Sequence, residues 1–127
     1  MTRCSLALAT MALLAAGPAH AQQRRLSIAT GGTGGVYYPL GGALANVLSK
    51  AIPGTEATAE VTSASVDNVK LVGQGRADVA FVLGDTAADG FNGVGKFKEK
   101  VPVRAIAVLY PNKSQWVTVE GTGIKKM

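Results

Sequence analysis

The residues best placed to do chemistry lie in one stretch, Thr30-Gly31-Gly32-Thr33-Gly34-Gly35-Val36-Tyr37-Tyr38-Pro39-Leu40-Gly41-Gly42, where consecutive glycines join a strand-like run to a helix-like run. Glycine tolerates positive φ and lets a ligand approach the backbone closely, and Pro39 suits the first turn of a helix. Free amides at a helix start, backed by the positive end of the helix dipole, favour an anion such as a carboxylate or a phosphate. Two more polar turns follow, Ser63 to Asn68 and Leu83 to Thr86. In a parallel sheet all three would share one edge, where ligands bind near the point at which the strand order reverses. Together they offer amides and short hydroxyls but no evident acid–base pair. That composition favours holding a small polar molecule over transforming one.

Plainer roles stay open for each residue. The glycines could form only a tight connection, and Ser63, Ser65 and Asn68 could be capping residues. Asp85 could cap the helix after it. One of Tyr37 and Tyr38 is expected in the core and the other at the surface, and Trp116 reads as packing. Enzyme motifs fail on spacing. Tyr37 stands where a dinucleotide-binding G-x-G-x-x-G needs its last glycine, no G-K-[ST] follows the glycines, and there is no G-x-S-x-G elbow.

Residues 1–21 read as a cleaved secretory leader: Arg3, an apolar run from Leu6 to Ala16, and the small-x-small triplet Ala19-His20-Ala21. The run is too short to span a membrane, for which roughly 20 apolar residues are needed. The single cysteine, Cys4, and the single histidine, His20, would leave with the leader. A disulfide framework, a Cys or His nucleophile and a His/Cys zinc site are thereby excluded from the mature chain, and no cofactor or metal is expected. The formal net charge is +5, but no helix or strand collects the basic residues, so a nucleic-acid surface is not expected.

The elements that must position these turns follow from periodicity. Arg24 to Thr30 and Ala57 to Thr62 read as strands, and Ala77 to Leu83 as a strand buried on both faces. Leu40, Ala43, Leu44, Val47, Leu48 and Ala51 predict a helix stopped by Pro53-Gly54, and Val66, Val69 and Val72 a second one capped by Ser63 or Ser65. One or two helical turns are expected over Gly84 to Gly90 and a surface loop over Phe91 to Lys100. Val103 to Tyr110 and Gln115 to Glu120 read as two more strands. Alternating strands and helices predict an α/β fold with a right-handed, mostly parallel sheet flanked by helices.

The leader, the run Ile28 to Gly41 with its G-x-Y-Y-P-x-G core, and the Thr62, Ser65, Asn68 spacing together resemble the TAXI family. These are the solute-binding subunits of tripartite ATP-independent periplasmic (TRAP) transporters. Gly75 to Ala80 and Ala105 to Pro111 resemble the family's later segments. The resemblance implies a periplasmic, type II binding-protein clamshell of two α/β lobes. It would close on a small carboxylate, such as glutamate or a dicarboxylate, and deliver it to a membrane permease without transforming it. By position, Thr33, Gly34, Gly35 and Tyr37 or Tyr38 would hold the anionic end, and Ser65, Asn68 and Asp85 would add polar contacts. The chain departs from the family's pattern at Ser63-Ala64, where Gly-Gly is usual, and at Leu83-Gly84, where Gln-Ser is common. Family members run to roughly two or three times this length, so residues 22–127 are expected to be an N-terminal lobe whose second lobe is missing. Two rival expectations remain: a secreted α/β enzyme acting on a phosphorylated or carboxylate substrate, with Asp85 as its base, and a fragment or interaction lobe that pairs with a second chain.

Overall fold

The first strand, β1 (Arg24–Ala29), ends in Ile28 and Ala29, both fully buried. Successive strand residues point to opposite faces, so burial of two neighbours means that both faces of β1 are covered at this end. The computed structural model describes residues 23–124, and the expected leader lies outside them. After β1 come α1 (Tyr37–Ala51), β2 (Thr55–Glu60), α2 (Ser65–Gly73), β3 (Val79–Ala80) and α3 (Gly84–Asn92). The three strands form a parallel sheet in the order β2-β1-β3. The order in which strands are added therefore reverses at β1, with β2 on one side and β3 on the other. The expected α/β fold with a parallel sheet flanked by helices is what the chain adopts.

The element boundaries differ in instructive ways. The second strand starts at Thr55, two residues before the alternation predicts, because Arg24 N–H donates to the Gly54 carbonyl and draws the ladder back. β3 is short, yet the Asp78 and Phe81 amides donate to the Ser27 and Ala29 carbonyls on either side of it. The Asp78 carboxylate also accepts the Ser27 amide at 2.8 Å. This acid extends the ladder where the strand runs out.

The inward face of α1 is not the one that leucine and valine spacing suggests. Leu40 and Val47 are exposed, while Gly41 and Ala45 are buried and Tyr37, Leu44 and Leu48 pack against Ile28 and Phe81. Gly41 sets this rotation: a methyl there would collide with Cγ2 of the fully buried Thr30 and touch Ala59 and Phe81. On the other layer, Gly90 lets α3 cross close to Val69 of α2, and a Cβ there would sit 2.6 Å from Val69 Cγ1. The third helix runs two residues past the expected Gly90 and stops at Gly93, whose φ of 72° makes a left-handed cap. The stretch expected to be a surface loop buries Phe97 against Gly90.

Val103 to Tyr110 and Gln115 to Glu120 are not strands. Among the described residues no neighbouring strand takes up their amides and carbonyls, and alternation without a partner leaves the ladder unmade. Ile106, Val108, Trp116 and Val117 are all exposed.

Two adjacent glycines test the role of Gly41. Gly41→Ala is expected to destabilise the fold by about 1–3 kcal/mol through overpacking. Gly42→Ala, with no atom within 4 Å of the added methyl, is expected to stabilise it by about 0.5–1 kcal/mol. Urea denaturation of both variants would show the opposite signs.

Candidate functional site

In a parallel sheet each strand runs into its following turn at the same edge, so the three strand-to-helix turns gather beyond Ala29, Glu60 and Ala80. The first turn follows Thr30. Gly31 is buried, whereas Gly32, Thr33, Gly34 and Gly35 are exposed. None of these glycines has positive φ, contrary to the conformational role expected of them. Their contribution is space: no atom lies within 4 Å of a Cβ built on Gly32 or Gly34. The Gly35 amide closes the turn on the Gly32 carbonyl at 2.9 Å.

At the second turn, Ala64 has φ 67° and ψ −151°, the one non-glycine residue with positive φ among those described. That region is nearly exclusive to glycine and costs on the order of 1–3 kcal/mol. A ring of hydrogen bonds holds it. The Ala64 amide donates to Thr62 Oγ1 at 3.1 Å, the Thr62 hydroxyl donates to Asn68 Oδ1 at 2.6 Å, and the Asn68 amide donates to the Ala64 carbonyl at 3.0 Å.

Asn68 is fully buried, and its side chain joins three segments. Nδ2 donates to the Thr30 carbonyl at 2.6 Å and to the Phe81 carbonyl at 2.8 Å, with Ala29 O at 3.4 Å. Thr30, also fully buried, completes the tie on the other side, its amide and hydroxyl both donating to the Glu60 carbonyl. Ser65 is 7% exposed, and its Oγ accepts the Leu83 amide at 2.9 Å, linking the second turn to the third. Neither Ser63 nor Ser65 caps α2, because Ala64 occupies the N-cap and Ser65 is turned toward Leu83.

The three helices share a further property. Their N-cap residues are Val36, Ala64 and Leu83, and none receives a side-chain cap. Helix starts ordinarily recruit Ser, Thr, Asp or Asn to satisfy orphan amides, so three apolar caps on one edge leave donors open. In α1 the first closed bond is from Leu40 to Val36, Pro39 has no N–H, and no acid lies in the first turn. α2 and α3 carry Asp67 and Asp85 in theirs. The start of α1 is therefore the most favourable of the three for an anion. Asp85 does not cap α3; its Oδ1 accepts the Thr86 amide at 2.6 Å and the Thr86 hydroxyl at 3.2 Å, and the residue is exposed.

The tyrosines divide. Tyr37 lies against Phe81 with ring centroids 5.6 Å apart, while Tyr38 is exposed beside the glycine turn. Thr33, Gly34, Gly35, Tyr38 and Asp85 thus present surface at the sheet edge, and Tyr37, Ser65 and Asn68 lie behind it. Two shallow depressions, of about 370 and about 380 Å³, lie to the side: one flanks α2 between Thr62 and Arg76, the other covers the open sheet face around Arg25, Glu56 and Asp78.

A parallel sheet with its strand-order reversal at β1 and three open helix starts at one edge is consistent with part of a periplasmic-binding-protein-like lobe. Residues 28–127 match the model of the NMT1-like family, and the chain belongs to that family. Its members are periplasmic solute-binding proteins, TAXI and TRAP types among them, and it is a binding family, not an enzymatic one. No helix among the described residues is long and apolar enough to cross a membrane.

Asn68→Ala is expected to cost about 2–5 kcal/mol in chemical denaturation, since it orphans the Thr30 and Phe81 carbonyls and the Thr62 hydroxyl together. Ala64→Gly is expected to raise stability by about 1 kcal/mol, the relieved strain exceeding the added chain entropy of glycine. A fall in melting temperature for Ala64→Gly would contradict the strain assigned to that residue.

Proposed function

We propose that the chain is the solute-binding component of a TRAP-type transporter of the TAXI kind. It binds a small carboxylate, glutamate-like or dicarboxylate, at the glycine-rich edge and presents it to a membrane permease. The observation that carries this reading is the trio of helix starts with apolar N-caps at one edge, that of α1 having no acid in its first turn. Unfilled donors at a helix start favour an anion from outside the chain.

Within this reading Thr33, Gly34, Gly35 and Tyr38 meet the ligand's anionic end at the start of α1. Tyr37 supports the turn from the core side. Ser65 and Asn68 shape the second turn from behind, through Leu83 and through the strand ends. Asp85 repels a second carboxylate and attracts a cationic group, which favours an amino acid such as glutamate over a simple dicarboxylate. The ligand leaves unchanged, so the protein acts as a carrier and not as an enzyme, and residues 1–21 serve as the leader that takes it to the periplasm.

A second reading rests on the exposed apolar residues between Ile106 and Val119. In it, affinity depends on a further body of protein that covers this stretch and closes over the ligand, as a lobe in a two-lobed receptor does.

Thermal melting with L-glutamate or succinate tests the first reading, because a ligand at 100 times its Kd stabilises the folded state by about 2.7 kcal/mol. A selective rise in melting temperature is expected. Gly34→Val, which meets no protein atom at its Cβ, is expected to keep the wild-type melting temperature and lose the ligand-induced rise. An undiminished rise in Gly34→Val would remove the glycine turn from the site.

A further inference from the structure

We infer that the loop from Gly93 to Arg104, together with the exposed ring of Phe91, is a docking surface for an anionic phospholipid membrane. It lies at the C-terminal end of α3, about 13 Å along that helix from the strand-to-helix turns, and does not depend on the reading given to them. Four of the thirteen Lys and Arg residues, Lys96, Lys98, Lys100 and Arg104, fall in this loop, and all four are exposed. The neighbouring acids are Asp89 and Glu99, yet among the described residues none of the four cations forms an ion pair. Their charge is therefore free to meet an outside partner.

The loop is folded onto the molecule. The Val94 amide donates to the Asp89 carbonyl at 3.0 Å, the Phe97 amide to the Val94 carbonyl at 3.1 Å, and the Val101 amide to the Gly90 carbonyl at 2.8 Å. Phe97 is buried, and its neighbours Lys96 and Lys98 are exposed on either side of it. Phe91 and Val94 are 51% and 50% exposed, and the Arg104 guanidinium stands 5.8 Å from the centre of the Phe91 ring. Cations alone would suit any acidic partner. Apolar side chains exposed among them suit a membrane interface, where lysines reach the headgroups and a ring enters the acyl boundary. A bound peptide ordinarily lies in a groove, and neither depression of the surface borders this loop.

The test is flotation of the full chain with vesicles of phosphatidylcholine, alone or mixed in equal parts with phosphatidylglycerol. The measured quantity is the affinity gained on adding phosphatidylglycerol, a difference in which any binding by the apolar run from Leu6 to Ala16 cancels. A gain that falls as salt is raised is expected. Lys96→Gln combined with Lys98→Gln is expected to lower it by about 25-fold, each lysine near an anionic surface contributing about fivefold. Lys50→Gln combined with Arg76→Gln removes equal charge elsewhere and is expected to lower it by about twofold at most. Phe91→Ser is expected to weaken binding to the mixed vesicles by about threefold or more. Melting each variant first establishes that it folds. No gain from phosphatidylglycerol, or an equal loss in the two charge variants, overturns the proposal. Tighter capture by poly-L-glutamate than by the mixed vesicles, undiminished in Phe91→Ser, makes an acidic polypeptide the partner and overturns it as well.

Discussion

The side-chain amide of Asn68 is the interaction on which the sheet edge depends. A two-residue β3 cannot hold itself against β1 with ladder bonds alone, and the carbonyls of Thr30 and Phe81, just past the strand ends, have no strand partner there. One buried amide group supplies a proton to each, and its oxygen takes the Thr62 hydroxyl. Burying these polar atoms unpaired would cost several kcal/mol; paired, they bind two strands and a turn into one unit. Thr30 performs the matching task between β1 and β2. The edge is rigid because its polar groups are spent on one another behind the surface.

In front of that surface the economy reverses. Each helix begins on an apolar N-cap residue, so at the start of α1 the amides of Tyr37 and Tyr38 receive no side-chain cap. Local stability would improve with a serine or an aspartate at any of the three caps. The acids at Asp67 and Asp85 grade the edge, leaving α1 the one start of the three without an acid in its first turn.

Much of the framework is legible in the order of residues. The Leu26 and Ile28 alternation of β1, the Pro53-Gly54 stop and the glycines around each turn mark the elements to within a few residues, and alternating strand and helix signals imply a parallel sheet. What periodicity misreads is decided by single contacts. Gly41 rotates α1 because a glycine, not a leucine, meets Thr30; Phe97 enters the core from a stretch without any period; Val103 to Tyr110 alternates but has no neighbour to pair with. At the site, the three turns can be located from composition. The roles of Ser65 and Asn68 cannot, since a hydroxyl or amide that could cap a helix reads the same as one that reaches Leu83 or Thr30. The N-caps are apolar at all three helices: Val36 before Tyr37, Ala64 before Ser65 and Leu83 before Gly84.

The placement of β1 at the centre of the sheet has a kinetic consequence. Among the described strands it leaves the ribosome first, it pairs on one side with β2 about thirty residues later, and its other side stays bare until Val79 and Ala80 arrive about fifty residues on. Loop closure of that length precedes any reward from the second ladder, which slows folding relative to a fold of local hairpins. Throughout that interval the nascent chain carries a strand with one open side, the kind of edge that invites pairing with other chains.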